Sequence, residues 1–173
     1  MIRIFVSYAV MNSILHFFSD FEKEKMGFLL GKKCKSGVGT YIVIEEIYTD
    51  FPMTSTPVSV RPSREGMYKI TDYIIKSEGG DVHVLGWAHS HLGYGVFCSA
   101  TDTDTMGSCF NNEYQVALVV DCKLKQYGFF MLSKEKDDYF KVKAKIITDE
   151  LYRKWLSFYQ KKQARDILEY KEV

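Results

Sequence analysis

The chain has 173 residues, 46% of them hydrophobic and 15% aromatic, enough for one domain with a sizeable core and too few for two ordinary ones; general disorder is excluded. Lys and Arg number 23 against 22 Asp and Glu, a formal net charge of +1, so no global field draws the molecule to nucleic acid. The four cysteines, Cys34, Cys98, Cys109 and Cys122, form no CxxC pair, which argues against a zinc ribbon or a dense disulfide framework and makes a reducing, cytoplasmic setting the default.

Ile2 to Val6 is a short β-favouring run, and Val10, Ile14, Phe17, Phe18 and Phe21 then follow at spacings that suggest a helix with one buried face, ending near Glu24. The opening residues lack the basic, apolar and cleavage-site regions of a signal peptide, and no apolar run approaches the roughly 18 residues of a membrane span. Met26 to Leu30 and Tyr41 to Tyr48 read as a β-hairpin around Lys32 to Thr40, where Gly37 and Gly39 supply turn chemistry. Asp50 to Pro62 holds all three prolines and reads as an exposed loop. Ser63 suits an N-cap for a helix with Met67, Ile70 and Ile74 on one stripe, terminated by Gly79-Gly80. Val82 to Ala88, Tyr114 to Val120 and Gln126 to Leu132 are three further strands, the middle one apolar enough to be buried on both faces. Thr148, Asp149 and Glu150 open a last helix, with Leu151, Trp155 and Phe158 on one side and a polar end from Lys161 to Val173. Helices and strands mingle around one mixed sheet, an α/β architecture.

The chemistry concentrates between Gly86 and Asp102, which includes half of the four histidines. On a strand, residues two apart share a face with Cα atoms roughly 6.5 Å apart, so His89 and His91 can direct both imidazoles at one ion. The glycine-bearing loop from Leu92 to Cys98 is free to fold back, and Ser99 suits the cap of a short helix with Asp102 in its first turn. Two imidazoles and a carboxylate around zinc leave a position open to water, as in catalytic sites. Each half also has a plainer reading: His-x-His as surface polarity, and Ser99-x-x-Asp102 as a helix capping box. Their combination, beside apolar Val82, Val84 and Leu85, favours a buried pair of histidines with a partner.

Glu24, His89-Ser90-His91, seven residues, Ser99, two residues and Asp102 resemble the signature of the JAMM (MPN-plus, Mov34/PAD1-type) zinc metalloproteases. Glu24-Lys25-Met26-Gly27-Phe28-Leu29-Leu30-Gly31 is similar to the Glu-bearing element of that family, and Gly86-Trp87-x-His89-Ser90-His91-x-Gly93-Tyr94-Gly95 to the branch containing the proteasome-lid deubiquitinase and the COP9 signalosome deneddylase. The resemblance implies a single MPN domain of cytidine deaminase-like α/β fold, a mixed sheet flanked by helices, over residues 1–147. Residues 148–173 are expected to form a C-terminal helix packed on the domain or extending from it. The resemblance also implies that His89, His91 and Asp102 ligate one Zn²⁺, that Glu24 serves as general base and that Ser99 donates to the oxyanion. The activity implied is zinc-dependent hydrolysis of the isopeptide bond between the C-terminus of ubiquitin, or a ubiquitin-like modifier, and a lysine amine. Partners would be such conjugates, with proteasome-related or homo-oligomeric contacts, and neither nucleic acid nor membrane. The alternative is a non-catalytic MPN scaffold.

Leu92 stands where that family usually has Pro, which restores an N–H and frees φ. Ala88 replaces a Tyr common in the lid-like branch, and the short segment Cys122 to Lys125 replaces an insertion of eukaryotic relatives, so the chain resembles a compact prokaryotic, archaeal-type relative. Of the neighbouring groups, Asp104 reads as a solvated or outlying acid, Cys98 as packing, His83 as too distant for the same ion, His16 as uninvolved, and Trp87 as either site wall or core. The Asp50 to Pro62 loop corresponds to a segment that in the family clamps the modifier's tail.

Overall fold

A computed structural model describes residues 2–19, 22–37, 39–77, 81–133 and 138–169, with side chains as far as Lys161. β1 (Arg3–Ser7) runs into α1 (Tyr8–Phe17) through Ser7, whose side chain caps the helix by accepting the Val10 N–H at 3.2 Å. The N–H of Phe18 closes on the Ile14 carbonyl and that of Ser19 on the His16 carbonyl, so α1 stops well before Glu24. The apolar stripe is complete once Phe18 is buried, and charged residues 22–25 offer no face to continue it. Phe21 lies outside the described residues.

β2 (Met26–Ser36) and β3 (Gly39–Tyr48) form the expected antiparallel hairpin, with strands that run up to the turn itself. The stretch expected to be a loop is instead a second hairpin, β4 (Met53–Thr56) with β5 (Ser59–Pro62). Its prolines fall at the strand end or outside the strands, and Thr, Ser and Val at the paired positions suit β structure. Ser63 caps α2 (Arg64–Lys76), accepting the Gly66 N–H at 3.0 Å. Ile70 is buried, while Met67 is more than a third exposed; Gly79-Gly80 lies outside the described residues.

β6 (His83–His91), α3 (Ala100–Cys109), β7 (Val116–Asp121) and β8 (Gln126–Leu132) follow. Two short strands unanticipated from the sequence, β9 (Tyr139–Val142) and β10 (Ala144–Ile147), complete an eight-stranded sheet of order β10-β1-β3-β2-β6-β7-β8-β9 among the described residues. β1 is parallel to β3 and β10, and β6 to β7; the remaining pairs are antiparallel. Lys143 alone separates β9 from β10, although they lie on opposite edges. The sheet therefore curls enough for a single residue to connect its two edge strands.

Alternation along the strands divides the core. Val116, Leu118 and Val120 of β7 join Ile4, Val6 and Ile14 beneath α1, whereas Ala117 and Val119 join Phe28, Trp87, Ile70 and Met106 beneath α2 and α3. All six residues of β7 are buried, as the apolar run predicted. Trp87 and His89 share parity and so face the α2/α3 side.

α4 (Asp149–Glu169) starts with Thr148 accepting the Leu151 N–H; of the expected Leu151, Trp155 and Phe158 face, only Trp155 docks. Leu151 and Phe158 are 49% and 81% exposed. Tyr152, Trp155 and Tyr159 face inward instead, donating to Glu45 at 2.8 Å, to the Tyr41 hydroxyl at 3.2 Å and to Asp81 at 2.8 Å. The surface beneath carries polar acceptors, so side chains with an apolar body and a donor tip outcompete Leu and Phe for that face. Among the described residues no helix is long and apolar enough to cross a membrane.

Candidate metal centre and active-site cleft

β6 delivers His89 and His91 to one end of the sheet, both almost wholly buried. The loop after His91 returns across them, with the Phe97 ring 5.0 Å from that of His91, and ends at Ser99, the N-cap of α3. The capping box is complete: Ser99 Oγ accepts the Asp102 N–H, and Asp102 Oδ2 accepts the Ser99 N–H at 2.6 Å. Capping occupies one carboxylate oxygen and leaves the other. Asp102 Oδ1 lies 3.3 Å from His89 Nε2, which is 3.2 Å from His91 Nε2. The plain and the chemical readings of Ser99-x-x-Asp102 therefore hold together.

These three ligand atoms lie within 4.8 Å of one another. Zinc–ligand distances near 2.0–2.1 Å in a tetrahedral site put neighbouring donors about 3.3 Å apart, so the donor set fits a zinc ion. Each ring is held differently. His91 Nδ1 meets the Gly95 carbonyl at 2.7 Å, an arrangement that places a proton on Nδ1 and leaves Nε2 as the donor atom. His89 Nδ1 has no hydrogen-bond partner among the described residues; its ring instead stacks on Trp87 at 4.4 Å and 17°. Trp87, 1% exposed and donating to Met106 Sδ, is thus both core and site wall.

Electrostatics suits the same role. Burial lowers the His91 pKa, and the neighbouring His89 adds to this against the Gly95 carbonyl and the two nearby aspartates, which favours the neutral form that can ligate. Burial alone would raise the Asp102 pKa, but the bond and charge of His89, then the N–H and O–H of Ser99, overcome it and bring it down to about 2. Glu24 goes the other way, raised to about 7 by burial and then by the charge of Asp102. Two acids in one cleft are thereby split into a permanent carboxylate and one poised near neutrality.

Glu24 is 5% exposed and lines a cavity of about 170 Å³ together with His91, Ser99, Asp102 and the hairpin residue Val58. It is held by its main chain: its N–H bonds the Thr56 carbonyl at 3.0 Å, and its own carbonyl accepts from Ser55 Oγ. The structure thus brings together all five residues singled out from the sequence. Asp104 is exposed and Cys98 is packed in the core, its thiol pushed up to about 12 by burial and then by Asp102. His83 is not among the converging ligands.

Three supporting residues escaped the sequence reading. Ser90 ties β6 to Lys25. Tyr139 donates to the Cys98 carbonyl and bonds Thr103 Oγ1 at 3.1 Å, bracing the start of α3. Asp121 gathers the N–H groups of Gly93, Gly95, Lys123 and Leu124. An acid directly after a buried apolar run and before a short turn was the available signal for the last; nothing local marked the others.

The family profile described as JAB1/Mov34/MPN/PAD-1 ubiquitin protease matches residues 2–115. The chain belongs to this family. Within it, the chain is 31% identical over 119 residues to COP9 signalosome complex subunit 5 of Debaryomyces hansenii, a match covering 66% of this chain and 24% of that protein. It is 32% identical over 117 residues to the 26S proteasome regulatory subunit RPN11 of Eremothecium gossypii, covering 66% and 36%. It is also 32% identical over 117 residues to the ubiquitin carboxyl-terminal hydrolase RPN11 of Saccharomyces cerevisiae, covering 66% and 37%. The matched MPN region thus spans about a quarter to somewhat over a third of these relatives. The solution structure of a protein from Desulfitobacterium hafniense shares the fold, with a TM-score of 0.59 and 18% identity over 85% of this chain and 96% of that one.

Proposed function

We propose that this MPN protein is a cytosolic, zinc-dependent isopeptidase that cleaves the bond between the C-terminus of ubiquitin or a ubiquitin-like modifier and a lysine amine. The observation that carries the reading is the convergence of His89 Nε2, His91 Nε2 and Asp102 Oδ1 beside a cavity also lined by Glu24 and Ser99. The relatives named for the proteasome, the COP9 signalosome and ubiquitin hydrolysis support the substrate class.

His89, His91 and Asp102 would hold the ion. Bound zinc supplies Lewis acidity, polarising the scissile carbonyl and making water nucleophilic at neutral pH. Glu24, buried in the same cleft as the ligands, would accept a proton from that water and return it to the lysine amine as the C–N bond breaks. A C–O bond forms in its place, giving a free modifier carboxylate. Ser99 Oγ donates to Asp102 Oδ2 at 2.7 Å; to stabilise the developing oxyanion it turns that proton toward the substrate, while the Ser99 N–H keeps Asp102 capped. Trp87 covers one face of the His89 ring, and the β4–β5 hairpin borders the cleft where an extended tail would lie.

The test is metal analysis of the purified protein together with a cleavage assay on a modifier–lysine conjugate, with and without chelator. Glu24→Gln should retain zinc and lose turnover by about 10²-fold or more. Zinc retained with full activity in that variant would overturn the assignment of Glu24, and absence of chelator-sensitive cleavage in the wild type would leave a scaffold.

A further inference from the structure

Asp121 ends β7 and is the register partner of His91 across the parallel β6–β7 pair. It is fully buried, and both carboxylate oxygens are taken up by main-chain N–H groups from two separate turns. On one side Gly93 reaches Oδ1 and Oδ2 at 3.1 Å each and Gly95 reaches Oδ2 at 2.7 Å; on the other Lys123 and Leu124 reach Oδ1 at 3.1 and 3.0 Å. Gly95 is the link to the metal centre. Its N–H is held by Asp121 and its carbonyl receives His91 Nδ1 at 2.7 Å.

We propose that Asp121 is a positioning residue for the metal centre: by clamping the 93–95 turn it fixes the His91 ring in the tautomer that leaves Nε2 free to ligate. The inference rests on the reading of His91 as a ligand. The turn needs such a clamp. Gly93 and Gly95 adopt φ of +100° and +92°, a region that glycine visits without strain but does not hold by itself. Leu92, unlike proline, leaves the φ before them unrestrained. Main-chain bonds from Asp121 supply the restraint that the local sequence lacks. The 121–122 segment also holds the other end of His91, since the Cys122 N–H approaches the His91 carbonyl at 3.4 Å.

The need for a carboxylate distinguishes this role from simple turn closure. An asparagine oxygen would accept from Lys123 and Leu124 equally well, as in any Asx turn. Its amide NH₂ would then oppose the Gly95 N–H, donor against donor. Two acceptor oxygens are required only because both turns are held at once, and dehydrating a carboxylate is otherwise costly.

Asp121→Asn tests this in metal-free protein by ¹⁵N NMR of the imidazole nitrogens at slightly alkaline pH, and separately by zinc affinity against a competing chelator. Wild type should show His91 as the Nδ1–H tautomer alone; Asp121→Asn should show mixed tautomers and about 10- to 100-fold weaker zinc binding. Val142→Ala, a core truncation in β9, should lower stability without moving either readout. If Asp121→Asn keeps the tautomer or keeps the affinity, the proposal is overturned. If it does not fold, hydrogen exchange of the wild-type Gly95 amide decides: protection supports the clamp, and exchange at open-loop rates overturns it. Failure of the wild type to bind zinc would sink the ligand reading, while the tautomer comparison would still report on Asp121.

Discussion

Ser90 and Lys25 are joined twice: the Ser90 N–H donates to the Lys25 carbonyl at 3.0 Å, and the Lys25 N–H donates to Ser90 Oγ at 2.9 Å. Ser90 lies between the two candidate ligands and Lys25 follows the candidate base, so these bonds tie the ligand-bearing strand to the segment that carries Glu24. Ser90→Ala leaves the Lys25 N–H without its side-chain acceptor and should cost about 1–3 kcal/mol of stability. Zinc content should be unchanged and turnover reduced. Denaturant unfolding alongside metal analysis checks this; parallel loss of zinc would place the effect on the histidines instead.

Glu24 confers a pH dependence on the metal-free protein. Its carboxyl is raised to about 7 in the fold from 4.5, by burial and then by Asp102. The unfolded state therefore ionises first. This contribution to stability is complete below about pH 4.5 and is lost as pH rises through about 7. Thermal melts of chelated protein between these limits should show wild type falling relative to Glu24→Gln, whose side chain stays neutral. Parallel curves would show that Glu24 is not desolvated.

Val58 sits at the tip between β4 and β5, 70% exposed while still lining the cleft. Removing the whole hairpin would also release Glu24, which Ser55 and Thr56 hold. A tip substitution separates the two roles. Val58→Asp should raise KM several-fold for a modifier conjugate and leave hydrolysis of a short isopeptide unchanged. Equal effects on both substrates would mean that the tip acts through Glu24.

The docking of α4 depends on polar tips. Burial raises the Glu45 carboxyl while the Tyr152 hydroxyl opposes the rise, so Tyr152→Phe deprives a half-buried carboxylate of its donor. The cost should be about 1–3 kcal/mol, and it should appear as faster hydrogen exchange in α4 with the sheet unaffected. Uniform loosening of the whole domain would show that the helix belongs to the same cooperative unit.

Four of the candidate site residues were legible in the chain because their spacing is local: a two-residue strand period pairs His89 with His91, and a helix's first turn pairs Ser99 with Asp102, whereas Glu24 was reached only through the family resemblance. The central strands were legible because apolar runs such as Val116 to Val120 have no other stable placement. Tertiary structure alone decided where α1 stops, since no local rule says that burial of Phe18 completes its stripe. It decided that Asp50 to Pro62 pairs with itself, and that Tyr152 and Tyr159 displace Leu151 and Phe158 from the docked face, because the acceptors they meet come from residues more than 70 positions away. It also added the edge strands β9 and β10, four residues each and too short to be recognised before their partners are known. Glu24 and Asp121 meet the histidines only across strands distant in sequence, as Ser90 meets Lys25, and hydrogen bonds between such non-neighbours, invisible to any local period, set the geometry.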